Sequence, residues 1–295
     1  MIHDVIIVGG SYAGLSAGLQ LARARRKVLV IDSGQRRNRF AQSSHGFLGQ
    51  DGREPGAIAH EARAQLLAYP TVEWLQQSAV EARKEGDGFL VTTLTGEKLA
   101  GLRMILATGV VDDLPEIPGL AERWGQRVFH CPYCHGYELN GGPVGVLAAT
   151  PLAIHQALML PDWGPTLLFQ NEVFEPDADQ LAKLETRGVA LEREPVISIG
   201  GEQIDVTLAS GRVVKLAGLF TQPRTRMASP LPALLGCEFE AGPTGSFIKV
   251  DAMRATSVPG VFACGDAAVA AGNVATAVGD GARTGAAAHH SLIFS

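Results

Sequence analysis

Residues 130–137 read His-Cys-Pro-Tyr-Cys-His-Gly-Tyr, which sets the thiols of Cys131 and Cys134 between two imidazoles. Two cysteines at this spacing can form half of a zinc site, a small glutaredoxin-like redox pair, or the exchanging dithiol of a larger enzyme. An imidazole beside the second thiol, here His135, can relay a proton near neutral pH. The motif alone leaves all three chemistries open, so the elements that would position it have to decide.

The chain opens with "DVIIVGG", a continuous apolar run ending in glycines, as expected of a buried parallel strand. "AGLSAGLQLARARR" reads as a helix with cations in its last turn, and "KVLVID" reads as a second buried strand. This makes a βαβ unit whose turn is Gly9-Gly10-Ser11-Tyr12-Ala13-Gly14 and whose second strand ends in Asp32. Glycines let the backbone turn tightly and approach a pyrophosphate seated at the helix N-terminus, and the acid can accept hydrogen bonds from a ribose. Ser11 stands where the G-x-G-x-x-G pattern has its second glycine; it is small and can donate a hydrogen bond. "MILATG", residues 104–109, is a buried strand that would let the chain pass close to the adenosine end of a flavin dinucleotide. "TSVPGVFACGDAA", residues 256–268, adds a turn, an apolar strand and Gly265-Asp266, whose carboxylate suits a ribityl hydroxyl. In this order the three elements point to FAD. Cys264, inside the last of them, reads as a small core residue.

With that frame the cysteine pair can be assigned. Zinc needs about four ligands, and no second Cys/His pair at ligand spacing is present, since Cys237 and Cys264 stand singly. A glutaredoxin motif follows the first strand of a small domain, whereas this one lies behind an entire half of a dinucleotide fold. A flavin-coupled dithiol remains. At the start of a helix the backbone N–H groups would lower a thiol pKa and make a thiolate available to attack a disulfide.

At 295 residues the chain has about two domains' worth of length, and 46% hydrophobic against 19% charged residues provide ample core. The net charge of −5, with no basic tract, argues against nucleic acid and anionic membrane as partners. The longest apolar stretch is broken by Pro151 and His155 and is too short to span a bilayer. No export signal opens the sequence, so a cytoplasmic location is expected. After "VDDLPEIPG", which reads as a crossing between domains, the strand–turn–helix pattern restarts at "GPVGVLAATPLAIHQALML". The expected fold is α/β with two Rossmann-like domains, the second inserted into the first. The expected ranges are 1–112 for the first part of the FAD domain, 113–240 for an inserted NADPH-type domain carrying the cysteines, and 241–295 for the returning part.

The ordered set GGSYAG, Asp32, ATG, CxxC followed by "HGYE", and "PGVFACGD" resembles the low-molecular-weight thioredoxin reductase family over nearly the whole chain. The resemblance implies a homodimer in which Cys134 faces the flavin and Cys131 exchanges with the substrate. It places FAD on Gly9, Ser11, Tyr12, Ala13 and Gly14, on Asp32, Ser33, Asn38 and His45, on Val80, Ala107, Thr108 and Gly109, and on Gly265, Asp266, Val274 and Ala275. The family's usual acid after the second cysteine is replaced by His135, so the acid/base role would pass to the imidazole; His130 reads as structural. The second dinucleotide turn is Ala148-Ala149-Thr150-Pro151-Leu152-Ala153, without the usual glycines, and the next strand runs into Phe169-Gln170-Asn171-Glu172 without an arginine for a 2′-phosphate. NADPH binding is therefore expected to be weakened or lost. Asn273-Val274-Ala275 stands where Arg-Gln-Ala is usual. These departures resemble the branch of gliotoxin- and holomycin-type dithiol oxidases. The expected partner is a small dithiol or disulfide or a thioredoxin-like protein, with oxygen, ferredoxin or NADPH as the electron partner. The rival readings are an NADPH-dependent thioredoxin reductase with an atypical turn and a non-catalytic FAD-binding redox sensor.

Overall fold

The computed structural model describes residues 2–294; Met1 and Ser295, the outer ends of the expected ranges, lie outside them. The first apolar run is β1 (Ile2–Val8), in which Val5, Ile6 and Ile7 are fully buried. Each such side chain contributes roughly 1.5–3 kcal/mol by leaving water. The glycine turn leads into α1 (Tyr12–Arg23), then β2 (Val28–Ile31), α2 (Pro55–Leu67) and β3 (Val72–Leu75). Strands β4 (Ala79–Glu85), β5 (Gly88–Thr93) and β6 (Lys98–Leu106) form an antiparallel meander. The chain leaves this layer through β7 (Val110–Asp113).

After strand β8 (Val128–Phe129) comes the single helical turn α3 (Pro132–His135), which contains Cys134 and is capped by Cys131. Next come β9 (Val144–Leu147), α4 (Ala153–Met159), β10 (Thr166–Phe169), α5 (Ala178–Thr186) and β11 (Ala190–Glu192). Asp177 and Gln180 close a capping box at the start of α5, which fixes that boundary. Strands β12 (Val196–Gly200), β13 (Ile204–Leu208) and β14 (Val213–Leu216) make a separate antiparallel sheet before β15 (Gly218–Phe220). The return runs through β16 (Arg224–Met227), α6 (Leu231–Leu234), the hairpin β17 (Phe239–Ala241) and β18 (Ser246–Ile248), β19 (Val261–Ala263) and α7 (Val274–Ser291).

The first sheet has the order β3-β2-β1-β6-β5-β4, and β19 joins it in parallel beside β6. Strand β6 is long enough to pair β5 along its first half and β19 along its second. Helix α7 lies along α1 and buries Gly281, Gly285, Ala287 and Ala288. The second sheet, β11-β10-β9-β15-β8, is parallel throughout. Two Rossmann-type layers therefore share one chain, and the C-terminal segment completes the first. Strands β7 and β16 pair antiparallel. Beyond β16, Leu231 and Cys237 are buried in the core of the first sheet together with Ile6, Leu106 and Val261, so the chain rejoins that layer ahead of residue 240. Among the described residues no helix is long and apolar enough to cross a membrane.

Candidate active site

A cavity of about 840 Å³ lies between the first sheet and the segment carrying the cysteines. Gly9, Ser11, Tyr12 and Ala13 form one side of it. Gly9 has φ +104°, and a Cβ there would stand 2.1 Å from the Ala107 carbonyl oxygen, so the turn and the end of β6 touch backbone to backbone. Gly14 does not line the cavity. A Cβ on it would fall 1.9 Å from the Gly9 oxygen, and its part is to let α1 close onto the turn. Asp32 is likewise outside the lining: its Oδ1 accepts the Gly10 N–H at 2.9 Å and holds the turn in shape.

The loop after β2 contributes Ser33, Asn38 and His45 to the lining, and Val80 enters from β4. The Tyr12 hydroxyl donates to the Pro55 carbonyl at 2.9 Å and accepts from Asn38 Nδ2 at 3.1 Å, and burial raises its pKa. Ala107, Thr108 and Gly109 line the cavity at the end of β6, and Gly265, Asp266 and Val274 face them. Ala275 does not line it. Asn273 caps α7 reciprocally with Thr276, so the start of that helix is firmly set at the cavity edge. Asp280 reaches back from α7; its Oδ2 accepts the Gly265 N–H at 2.8 Å and pairs with Arg254 Nη2 at 2.6 Å, which fixes the turn before Asp266.

Asn38 Oδ1 and Thr108 Oγ1 are buried without a hydrogen-bond partner among the described residues. Buried acceptors and hydroxyls are normally satisfied, so these two atoms fit a polar ligand occupying the cavity. Together with the turn, the α7 N-terminus and a volume in the usual range for cofactor sites, they suit a dinucleotide.

Cys131 and Cys134 form a disulfide, which leaves neither free as a zinc ligand. Cys134 and His135 line the cavity, and Cys131 does not. Cys131 caps α3 and Pro132 occupies its first position. Since α3 is only four residues long, the helix contributes less to thiolate stability than a full helix would. The His135 ring stacks on Phe129 with centroids 4.3 Å apart. Burial, reinforced by His130 and His45, pushes its pKa down to about 4, so the imidazole is neutral at physiological pH.

Sequence reasoning missed the charged group beside this pair. Arg37 donates to Asp112 through Nε at 2.9 Å and Nη2 at 2.5 Å, and to Asp266 through Nη1 at 2.9 Å. Burial opposes its charge, but the two carboxylates outweigh burial and raise its pKa. His130, read as structural, also lines the cavity. Burial, with Arg37 next, holds its pKa at about 4. Their signal in the sequence was faint: a run of arginines in a polar loop and an Asp-Asp pair. Cys264 reaches the cavity wall but is fully buried, and burial pushes its thiol up to about 12.

At the second dinucleotide turn Ala148 and Thr150 are buried, and Thr150 Oγ1 accepts the Leu152 N–H. Gln170 donates to the Phe174 carbonyl and to Glu175, and Asn171 Oδ1 accepts the Val196 N–H. An arginine does reach this point, Arg193 from beyond β11, but it pairs with Glu175 at 2.5 Å.

Residues 3–281 match the family described as pyridine nucleotide-disulphide oxidoreductase. The chain belongs to that family. It is 33% identical over 306 residues to thioredoxin reductase tcpT of Claviceps purpurea, covering 99% of this chain and 95% of that protein. With thioredoxin reductase sirT of Leptosphaeria maculans it shares 30% over 305 residues, covering 96% and 92%. The crystal structure of an oxidoreductase from Agrobacterium tumefaciens superposes with a TM-score of 0.97 at 57% identity, covering 100% of this chain and 99% of that one. The structure of HlmI gives 0.91 at 36%, covering 99% and 92%. This family member is a thioredoxin reductase-like oxidoreductase, and its membership implies a flavin cofactor. The resemblance read from the motifs is borne out by these relatives.

Proposed function

We propose that the protein is an FAD-dependent dithiol/disulfide oxidoreductase that works without NADPH. One observation carries the reading: Cys134 and His135 line the same cavity as the glycine turn, Thr108 and Asp266. FAD, when bound there, supplies a two-electron acceptor and donor. Gly9, Ser11, Tyr12 and Ala13 would hold its pyrophosphate side, Asn38 and Thr108 would pair their orphaned atoms with it, and Asp266 and the α7 N-terminus would meet its ribityl and ring end. Asp32, Gly14 and Ala275 act behind this surface.

The chain's own residues run the sulfur chemistry. A substrate thiol gives its proton to neutral His135, and the thiolate attacks Cys131. The Cys131–Cys134 bond breaks and leaves Cys134 as a thiolate in the cavity. The second substrate thiol then displaces Cys131, and the substrate leaves as a disulfide; disulfide reduction is the reverse. Partners of this kind are small dithiols or thioredoxin-like proteins, and the working unit is a homodimer in the cytoplasm. The domain division belongs to the same reading, with residues up to about 112 and the segment after β16 building the FAD domain.

Independence from NADPH is supported by the Cβ-bearing second turn and by Gln170, Asn171 and Arg193, all engaged internally. Arg193 is also the one feature that favours the NADPH-dependent rival, because it could be released from Glu175. The test is anaerobic mixing of the yellow protein with NADPH, NADH, reduced ferredoxin and small dithiols. Bleaching by a dithiol alone supports the reading, and rapid saturable bleaching at micromolar NADPH transfers it to the rival.

A further inference from the structure

A second cleft, of about 630 Å³, opens beside the cofactor cavity. Ser43, Gly125, Phe129 and His135 line both, so the two spaces share a wall that includes the stacked Phe129 and His135 rings. The outer lining comes from the residues before β8, from Glu138 beyond α3, and from the Gly201–Gln203 turn between β12 and β13. Cys131, Cys134, His135 and Glu138 follow one another along α3 and the helical turn Tyr137–Leu139. Cys131 is the extended N-cap of α3, Cys134 and His135 lie within that single turn, and Glu138 sits in the short turn that follows. The disulfide and the imidazole that lines the cleft are therefore held on the same short helical turn.

Glu138 stands 3.4 Å from His45 Nε2, but the other charges lining this cleft have no opposite partner among the described residues. Arg123 is fixed by the carbonyls of Gly119 at 3.0 Å and Gly201 at 3.3 Å and has no carboxylate partner among the described residues. Among the described residues the Arg127 side chain has no hydrogen bond or ion pair, nor have Glu122 and Glu202, and all three line the cleft. A ligand with both signs of charge can pair with them, whereas an apolar one would cover them unpaired, which costs free energy. The volume is that of a small-molecule site.

We infer that this cleft binds the thiol substrate, and that the substrate is a dithiol of the amino-acid or short-peptide class carrying both a carboxylate and an ammonium group. The inference rests on the dithiol oxidoreductase reading above. A ligand held there delivers one thiol to His135, which takes its proton. The resulting thiolate forms a bond to Cys131 as the Cys131–Cys134 bond breaks. The second thiol loses its proton, closes the substrate disulfide and releases Cys131, which is reprotonated. Two electrons pass from the substrate to the cysteine pair, and no other oxidant enters this half-reaction.

The test compares two probes on the holoenzyme under anaerobic conditions, a reduced Cys-Gly-Gly-Cys peptide with free termini and neutral dithiothreitol, by stopped-flow bleaching of the flavin. The peptide should half-saturate at a concentration at least about tenfold lower. Arg127→Gln and Glu202→Gln should each raise the peptide's half-saturation about tenfold, with the limiting rate changed less than about twofold. The S-methylated peptide, which cannot react, should bind the wild type in calorimetry and lose that binding in Arg127→Gln. Equal half-saturation for the two probes, unmoved values in both variants, or no binding of the methylated peptide would overturn the site while leaving the enzyme class intact. A wild-type flavin that neither dithiol bleaches would remove the class, and the site with it.

Discussion

The rings of Phe129 and His135 lie 4.3 Å apart and nearly parallel, at 19°. Phe129 is buried, so the imidazole is backed by a fixed apolar plate, and His135 lines both cavities. Removing the imidazole in His135→Ala should slow dithiol turnover by about 10²–10⁴-fold while FAD stays bound. Phe129→Leu keeps the base and loosens its support. Turnover should fall about tenfold, and the pH–rate profile should move upward as the imidazole gains water. Profiles for the wild type and both variants check this, and a variant profile identical to wild type would show that the imidazole does not titrate in catalysis.

The same burial makes the protein acid-sensitive. His130 and His135 have pKa values lowered to about 4 from an ordinary 6.5. The unfolded chain therefore takes up protons that the folded chain refuses. Stability is fully present above about pH 6.5 and is lost as the pH falls from there toward 4. Each group accounts for at most roughly 3 kcal/mol over that window. Urea midpoints between pH 7.5 and 4.5 should fall with pH, and His135→Gln should flatten the slope; a slope unchanged in that variant would count against the assignment.

The two cysteines should be distinguishable by colour. Cys134 lines the cofactor cavity and Cys131 does not. Cys131→Ser should leave a Cys134 thiolate against the flavin and a long-wavelength charge-transfer band, while Cys134→Ser should give none. Visible spectra above pH 8 decide the matter, and a band in the wrong variant would reverse the roles.

Asp280 offers a test of the cofactor cradle away from the cysteines. It holds the Gly265 N–H and pairs with Arg254. A charge-assisted bond of this kind contributes about 1.5–3 kcal/mol. Asp280→Asn keeps the shape and loses the charge, so FAD affinity should fall about tenfold or more, read by flavin release on ultrafiltration. Unaltered affinity would mean that the turn before Asp266 holds itself.

NADPH should be a poor reductant of this flavin. Gln170 and Asn171 are committed to internal hydrogen bonds, and Arg193 to Glu175. Two missing charge-assisted contacts weaken binding by roughly a hundredfold or more. Glu175→Gln should free Arg193 and restore part of the affinity, visible as faster bleaching at a given NADPH concentration. If bleaching is already fast in the wild type, the second turn binds the nucleotide in another way.

The parts of the fold that were legible are those in which local pattern and tertiary role agree. β1, the glycine turn and β2 announce themselves because a strand buried on both faces must be continuously apolar, and the turn has to be small where it meets Ala107. The CPYCH segment was legible because its chemistry is contiguous. Arg37 and Asp112 were not, although Asp266 was, since distant and individually ordinary polar residues meet only in the folded chain, where Arg37 reaches both carboxylates. The sheet β12–β14 and the approach of Arg193 to the end of β10 were hidden for the same reason: their partners are set by strand register, which composition does not record.

Strand β19 sits beside β6, with Val261 opposite Met104. Most of the chain lies between these neighbours, and a ribosome adds only about 5–20 residues each second. The N-terminal part of the sheet therefore waits many seconds with the second half of β6 unpaired and with α1 lacking its cover from α7. Gly265, Asp266 and Val274 are not yet in place during that time, so the cavity is incomplete. A flavin held by these residues can be captured only after the last helix has left the exit tunnel. Until then the exposed half-edge of β6 is a surface that a chaperone or another nascent chain can occupy.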